Sequence, residues 1–185
     1  IIEHGWEVFG ILNGFKGLVE NDYISLGLKE IHGILAKGGT ILGTTNIWVH
    51  PDITYVRAEV NGEIWIVSKE ATQKLTEQER TVKMIGTVAG KELIGKTVEE
   101  FNGKKIPVLP GLFCSPDKGT GIVHSVPSDS PDDWIALQDL QRDARLCEKY
   151  GLDYRTIEQI RAIPILDTPD YGDMPAMRLC EEFGI

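Results

Sequence analysis

Two adjacent carboxylates, Asp132 and Asp133, stand at the entrance of a predicted helix, just behind an apolar strand. They fall near the end of the run Gly119-Thr120-Gly121-Ile122-Val123-His124-Ser125-Val126-Pro127-Ser128-Asp129-Ser130-Pro131-Asp132-Asp133-Trp134, which reads as strand, polar turn and helix start. A carboxylate so placed meets an ammonium group in a charge-assisted hydrogen bond, and that bond fixes the orientation of whatever carries the ammonium. Asp133 also has a structural use. Ser130 suits the N-cap, Pro131 suits the first helical position, and Asp133 then falls where a capping box closes. An acidic first turn also complements the helix dipole. One residue can do both.

The neighbouring residues divide in the same way. Gly119 and Gly121 permit a tight turn and a close approach of backbone. His124 lies in the strand just before the turn, where it either faces a pocket or is a satisfied structural histidine. Asp129 and Asp132 read as solvated or turn-stabilising residues, and Val126 and Pro127 as strand-end packing. No cluster of His, Cys and carboxylates has zinc-like spacing, so neither a metal nor another cofactor is expected. No Ser-His or Cys-His pairing marks a covalent nucleophile, so no covalent intermediate is expected.

These residues need a scaffold, and 185 residues supply enough chain for one ordinary domain, or for one domain with a partial second unit. The hydrophobic share of 42% and charged share of 25% are those of a globular protein with a sizeable core. Cys114, Cys147 and Cys180 are odd in number and lack CxxC spacing, which predicts small buried thiols in a reducing, cytoplasmic setting. No apolar run approaches the roughly 18 residues of a membrane span, so no membrane association is expected. The opening Ile1-Ile2-Glu3-His4-Gly5 lacks both a secretory pattern and a Met, as expected of a piece of a longer chain. The net charge of −9 argues against a broad phosphate-gripping face, so any nucleic acid must be held locally.

Periodicity outlines the scaffold. A short apolar strand is predicted over Glu7–Leu12, a helix over Gly27–Ala36, and a strand beginning at Thr40-Ile41-Leu42 after Gly38-Gly39. From residue 46 short strands dominate. Tyr55–Val60 and Ile64–Val67 flank Asn61-Gly62, the strongest short-range hairpin signal. A helix over 69–79, strands within 82–98, and strands at Lys105–Leu109 and Gly121–Val126 follow. One helix is predicted from Pro131 to Tyr150, because Ala136, Leu137, Leu140, Ala144 and Cys147 share a face. A last helix spans Pro175–Phe183, with Gly184 after its end. The fold class is α/β: a strand-rich, barrel-like core with flanking helices, preceded by a partial strand-helix unit.

Residues 46–185 resemble the editing domain of leucyl-tRNA synthetases of the archaeal and eukaryotic cytosolic type. The likeness rests on Thr45-Asn46-Ile47-Trp48-Val49-His50-Pro51-Asp52, on Val60-Asn61-Gly62-Glu63, on Lys118 to Asp133, and on Ala136-Leu137-Gln138-Asp139-Leu140 and Glu148-Lys149-Tyr150-Gly151. Residues 1–45 resemble the first part of a phosphofructokinase, through Gly5-Trp6-Glu7-Val8-Phe9-Gly10, Gly14 to Glu20 and Gly38 to Thr44. That family's catalytic Thr-Ile-Asp-Asn-Asp segment is absent, and its Gly-Gly-Asp start would lie upstream of Ile1. The chain thus reads as a junction of two families near residues 40–46.

The first resemblance implies hydrolysis of the ester between a wrong amino acid and the terminal ribose of tRNA. Such proofreading is needed because one methylene changes binding by only about 1–3 kcal/mol. It implies that Asp133 anchors the α-ammonium and that Val126 and Pro127 hold the terminal adenosine. Thr40 would block leucine's side chain, with Gly119, Thr120, Gly121, His124 and Ser130 around the substrate. The implied partners are the acceptor end of a mischarged tRNA and the remainder of a synthetase. Where that family carries Thr-Leu-Arg-Pro-Glu-Thr, this chain has Leu35-Ala36-Lys37-Gly38-Gly39-Thr40, and only Thr40 matches. A non-catalytic module that has lost hydrolysis is therefore the second reading, and an inactive sugar-phosphate kinase fragment the third. Neither His-Ile-Gly-His nor Lys-Met-Ser-Lys-Ser is present, so this chain alone should not charge tRNA.

Overall fold

The computed structural model describes residues 43–100, 103–165 and 167–185, together with the backbone of two short strands at 9–11 and 23–25. Those two, β1 (Phe9–Ile11) and β2 (Tyr23–Ser25), pair antiparallel. The helix expected over Gly27–Ala36 and the strand expected from Thr40 lie outside the described residues.

The first of two larger sheets has the order β7 (Thr97–Glu99), β8 (Lys105–Pro110), β3 (Ile47–Val49), β9 (Ile122–His124). β3 runs parallel to β8 and antiparallel to β9. All three residues of β3 are buried, because both faces of this sheet are covered. Trp48 points to one side, into a core with Leu109, Cys114, Leu137, Leu140, Cys147 and Ile157. Ile47 and Val49 point to the other, with Tyr55, Ile94, Ile106 and Val108. Burying a side chain such as Leu137 stabilises the fold by roughly 1.5–3 kcal/mol.

The second sheet has the order β5 (Glu63–Val67), β4 (Thr54–Val60), β6 (Val82–Ala89) and is antiparallel throughout. The β4–β5 hairpin closes as predicted through Asn61 (φ 48°) and Gly62 (φ 89°), both left-handed, the conformation of a two-residue turn that matches strand twist. Helix α1 (Lys69–Glu77) is capped by Ser68, whose hydroxyl accepts from Ala71 N–H. Val56, Ala58 and Val60 form a small core with Trp65, Leu75 and Val82. β6 carries a bulge opposite the Arg57–Ala58 step. The one-turn helix α2 (Gly90–Leu93) follows it. Among the described residues the two sheets remain open and no closed barrel forms; the architecture is a mixed, strand-rich α/β core with flanking helices.

The helix expected over Pro131–Tyr150 is two: α3 (Pro131–Arg142) and α4 (Ala144–Lys149). Asp143 between them is extended (φ −127°, ψ 96°), and its carboxylate accepts from Arg145 and Leu146 N–H. A side chain that satisfies the backbone locally competes with helix continuation, and here it ends one helix and caps the next. A short helix that periodicity did not flag, α5 (Tyr154–Glu158), is capped by Asp153. The last helix, α6 (Pro175–Phe183), ends at left-handed Gly184 (φ 67°) and packs on α3. All three cysteines are free and buried.

Candidate functional site

The strand-to-helix junction after β9 is built by backbone first. Past the end of β9, the β3 pairing continues through Ser125 N–H to Asn46 C=O (2.9 Å) and Thr45 N–H to Ser125 C=O (3.0 Å). Val126 C=O then accepts from both Asp129 and Ser130 N–H at 3.0 Å, which folds residues 126–130 into a turn. Ser130 is extended and caps α3, its hydroxyl accepting from Asp133 N–H at 3.4 Å, with Pro131 in the first helical turn. The N-cap reading therefore holds. The capping box does not close, because Ser130 N–H is spent on Val126. Instead, Asp133 Oδ2 accepts from Val126 N–H at 2.8 Å. The carboxylate ties the helix start to the strand end seven residues earlier.

Asp133 is 3% exposed. Burial pushes its carboxyl above the ordinary carboxylate range. The hydrogen bond from Val126 N–H, with the Ser130 side chain and the Trp48 indole nearby, pulls it back, and the neighbouring Asp132 charge raises it further. The indole N–H of fully buried Trp48 approaches this carboxylate yet has no aligned acceptor. The side-chain amide nitrogen of buried Asn46 is likewise without a partner; its oxygen accepts from the Thr45 hydroxyl at 2.8 Å.

On the strand side of the run, left-handed Gly119 (φ 54°) and Gly121 (φ 75°) shape a loop that joins the two sheets. Ser68 N–H, at the end of β5, donates to Thr120 C=O at 2.7 Å, and the Tyr55 hydroxyl donates to Gly121 C=O at 2.9 Å. A Cβ at Gly121 would lie 2.7 Å from Ser68 Cβ, so close approach excludes any side chain there. Burial pushes the Tyr55 hydroxyl up to about 12, which keeps it a donor.

Between the sheets lies a cavity of about 370 Å³, walled by Ile47, Val49, Ile106, Val108 and Ile122 on one side and Ile64 and Ile66 of β5 on the other. Thr120, His124, Glu99 and Glu100 supply its polar lining. His124 is 6% exposed, with Nδ1 3.5 Å from the Thr44 hydroxyl. The residues singled out in the sequence thus fall into two groups. Asp133, Ser130, Val126 and buried Pro127 meet at the junction on the helix side of the sheet, while Thr120 and His124 face the cavity on the other side. Gly119 and Gly121 sit on the loop between. Asp133 lines neither this cavity nor two others; Asp132 lines one of those, of about 290 Å³, with Leu112, Phe113 and Tyr150. Thr40 lies outside the described residues. Trp48 was not singled out as a site residue, although strand alternation through Ile47-Trp48-Val49 would have turned it toward the helix.

Similarity to known proteins bears on what this arrangement is. The chain is 43% identical over 151 residues to the leucine–tRNA ligase of Pyrococcus horikoshii, and 44% identical over 147 residues to that of Methanothrix thermoacetophila. Each match takes in 79% of this chain, but the chain spans only 15–16% of the length of these relatives. A crystal structure described as GlLeuRS-CP1 superposes with a TM-score of 0.72 at 35% identity, over 92% of this chain and 68% of that one. The chain belongs to the leucyl-tRNA synthetase editing-domain family. The Plasmodium falciparum cytosolic leucyl-tRNA synthetase editing domain shares the fold, at a TM-score of 0.74 and 20% identity over 81% of this chain and 58% of that one. The Phosphofructokinase family pattern matches residues 1–52, so that second likeness runs through β3 into the segment that also carries the editing-domain resemblance.

Proposed function

We propose that this chain is an editing unit of a leucine–tRNA ligase, hydrolysing the ester that joins a non-cognate amino acid to the terminal ribose of leucine-specific tRNA. Asp133 anchors the α-ammonium, Val126 and Pro127 hold the terminal adenosine, and Thr40 excludes the leucine side chain. Gly119, Thr120, Gly121, His124 and Ser130 shape the substrate's surroundings. Water is the nucleophile, and the barrier falls through placement and through donors to the developing charge. The supporting observation is the 2.8 Å bond from Val126 N–H to Asp133 Oδ2, which holds the amino-acid anchor one hydrogen bond from the adenosine-binding backbone. The acceptor end of tRNA and the remainder of the synthetase are its partners, and the cytoplasm its setting.

A second reading, a binding module without hydrolysis, is favoured by the burial of Asp133: at 3% exposure its carboxylate must open to meet an ammonium. Deacylation of leucine-specific tRNA carrying isoleucine or norvaline separates the two. The wild-type chain releases the amino acid, and Asp133→Ala loses about 100-fold in rate, the scale set by misplacing a reacting group, while its circular dichroism stays unchanged. Activity that survives Asp133→Ala removes the anchor assignment. Binding of the mischarged acceptor end without release supports the second reading.

A further inference from the structure

In an antiparallel ladder, residue pairs that exchange N–H···O=C bonds alternate with pairs that do not. Ser125 N–H donates to Asn46 C=O, and the β3–β9 register then runs through Ile47–His124, Trp48–Val123 and Val49–Ile122. Counting by twos from Asn46–Ser125, bonded pairs fall at Trp48–Val123 and, one step past the strand ends, at His50–Gly121. That last bond is not made directly. The Tyr55 hydroxyl stands in it, accepting from His50 N–H at 3.0 Å and donating to Gly121 C=O at 2.9 Å. An oxygen inserted between donor and acceptor holds the two backbones farther apart than one direct bond would.

Tyr55 is fully buried on β4, in the core that also holds Val49, Ile106 and Val108. A buried hydroxyl is costly unless it is paired, so phenylalanine would serve packing alone. Here the donor and acceptor sides of the phenol are both used, on two segments that a regular ladder would have joined without it. The preceding carbonyl, of Thr120, accepts from Ser68 N–H at 2.7 Å, so two consecutive carbonyls of the loop are gripped from the second sheet. Thr120 and Ile122, on either side of Gly121, line the cavity. We propose that Tyr55 is a positioning residue for this loop: its inserted hydroxyl sets the spread of β3 and β9 and, through Gly121, the placement of Thr120 against the cavity. Its kinetic consequence rests on the editing reading, which puts Thr120 beside the substrate; the inserted hydroxyl itself does not depend on that reading.

The test removes one oxygen. Tyr55→Phe keeps the ring, and NMR of the full chain reads the ladder through the scalar coupling that a hydrogen bond transmits from an amide nitrogen to a carbonyl carbon. In wild type the His50 nitrogen should show no coupling to Gly121, and the Tyr55 hydroxyl proton should be visible and slow to exchange. In Tyr55→Phe the His50–Gly121 coupling should appear as the ladder closes by one pair, with displaced amide resonances at Thr120 and Gly121. In deacylation of mischarged leucine-specific tRNA, KM should rise roughly fivefold to tenfold, the scale of one hydrogen bond. kcat should hold, because Asp133 lies on the other side of the sheet. A His50–Gly121 coupling already present in wild type overturns the proposal, and this measurement decides even if the variant does not fold. Thr120 resonances unmoved in a folded Tyr55→Phe overturn it as well, as does a loss confined to kcat. If wild type releases no amino acid, the editing reading fails and the spectra alone judge Tyr55.

Discussion

Desolvation at Asp133 outweighs the hydrogen bonds it accepts, so its carboxyl titrates above the ordinary range. The consequence for stability has a definite sign. Between the ordinary carboxylate value and the raised folded value, the folded protein binds more protons than the unfolded chain, and stability falls as pH rises. Above the folded value the full penalty of the buried charge is present. Asp133→Asn keeps the shape and an oxygen that accepts from Val126 N–H while removing the charge. It should unfold at a higher temperature than wild type at neutral pH, and the gap should close as pH falls through the carboxylate range; thermal melts across pH measure this. A gap independent of pH would assign the effect to packing. The cap by Ser130 was legible in the sequence because capping depends on residue type at fixed local spacing. The bond to Val126 was not, since seven residues of irregular turn carry no period from which a contact can be read.

At the scale of elements, the loop 119–121 clamps two sheets whose separate strands were each readable from alternation, though their mutual placement was not. Alternation tells which side of a strand is apolar and is silent on which sheet will cover it. Gly121 concentrates the constraint, because its backbone is left-handed and Ser68 occupies the space where a Cβ would stand. Gly121→Ala should cost about 2–3 kcal/mol, combining a left-handed non-glycine residue with displacement of its neighbour. Chemical denaturation would show a lower midpoint at unchanged slope. Gly119→Ala, where the site is open, should cost less. The break at Asp143 escaped the sequence for a different reason. Apolar spacing of three and four continues across it from Leu140 to Cys147, and a local carboxylate decided the matter against that pattern.

For the molecule as a whole, composition indicated a globular chain with buried thiols, and residue resemblance indicated its family. Neither indicated that the core divides into a helix-covered side and a cavity side, since that division follows from how the two sheets converge. The −9 charge has a whole-molecule meaning as well. An anionic surface offers no general grip on phosphates, so recognition of a polynucleotide has to be confined to a few contacts. The three cysteines supply a further consequence. Burial pushes Cys114 up to about 12 and raises Cys147 and Cys180, so none is a ready thiolate in the native state. Their reaction with a coloured disulfide reagent must wait for the interior to open. The chain thus carries its own clock for unfolding: in native buffer all three sulfurs should react slowly and together, at a rate set by global opening, and intact-mass kinetics would count the mixed disulfides as they form.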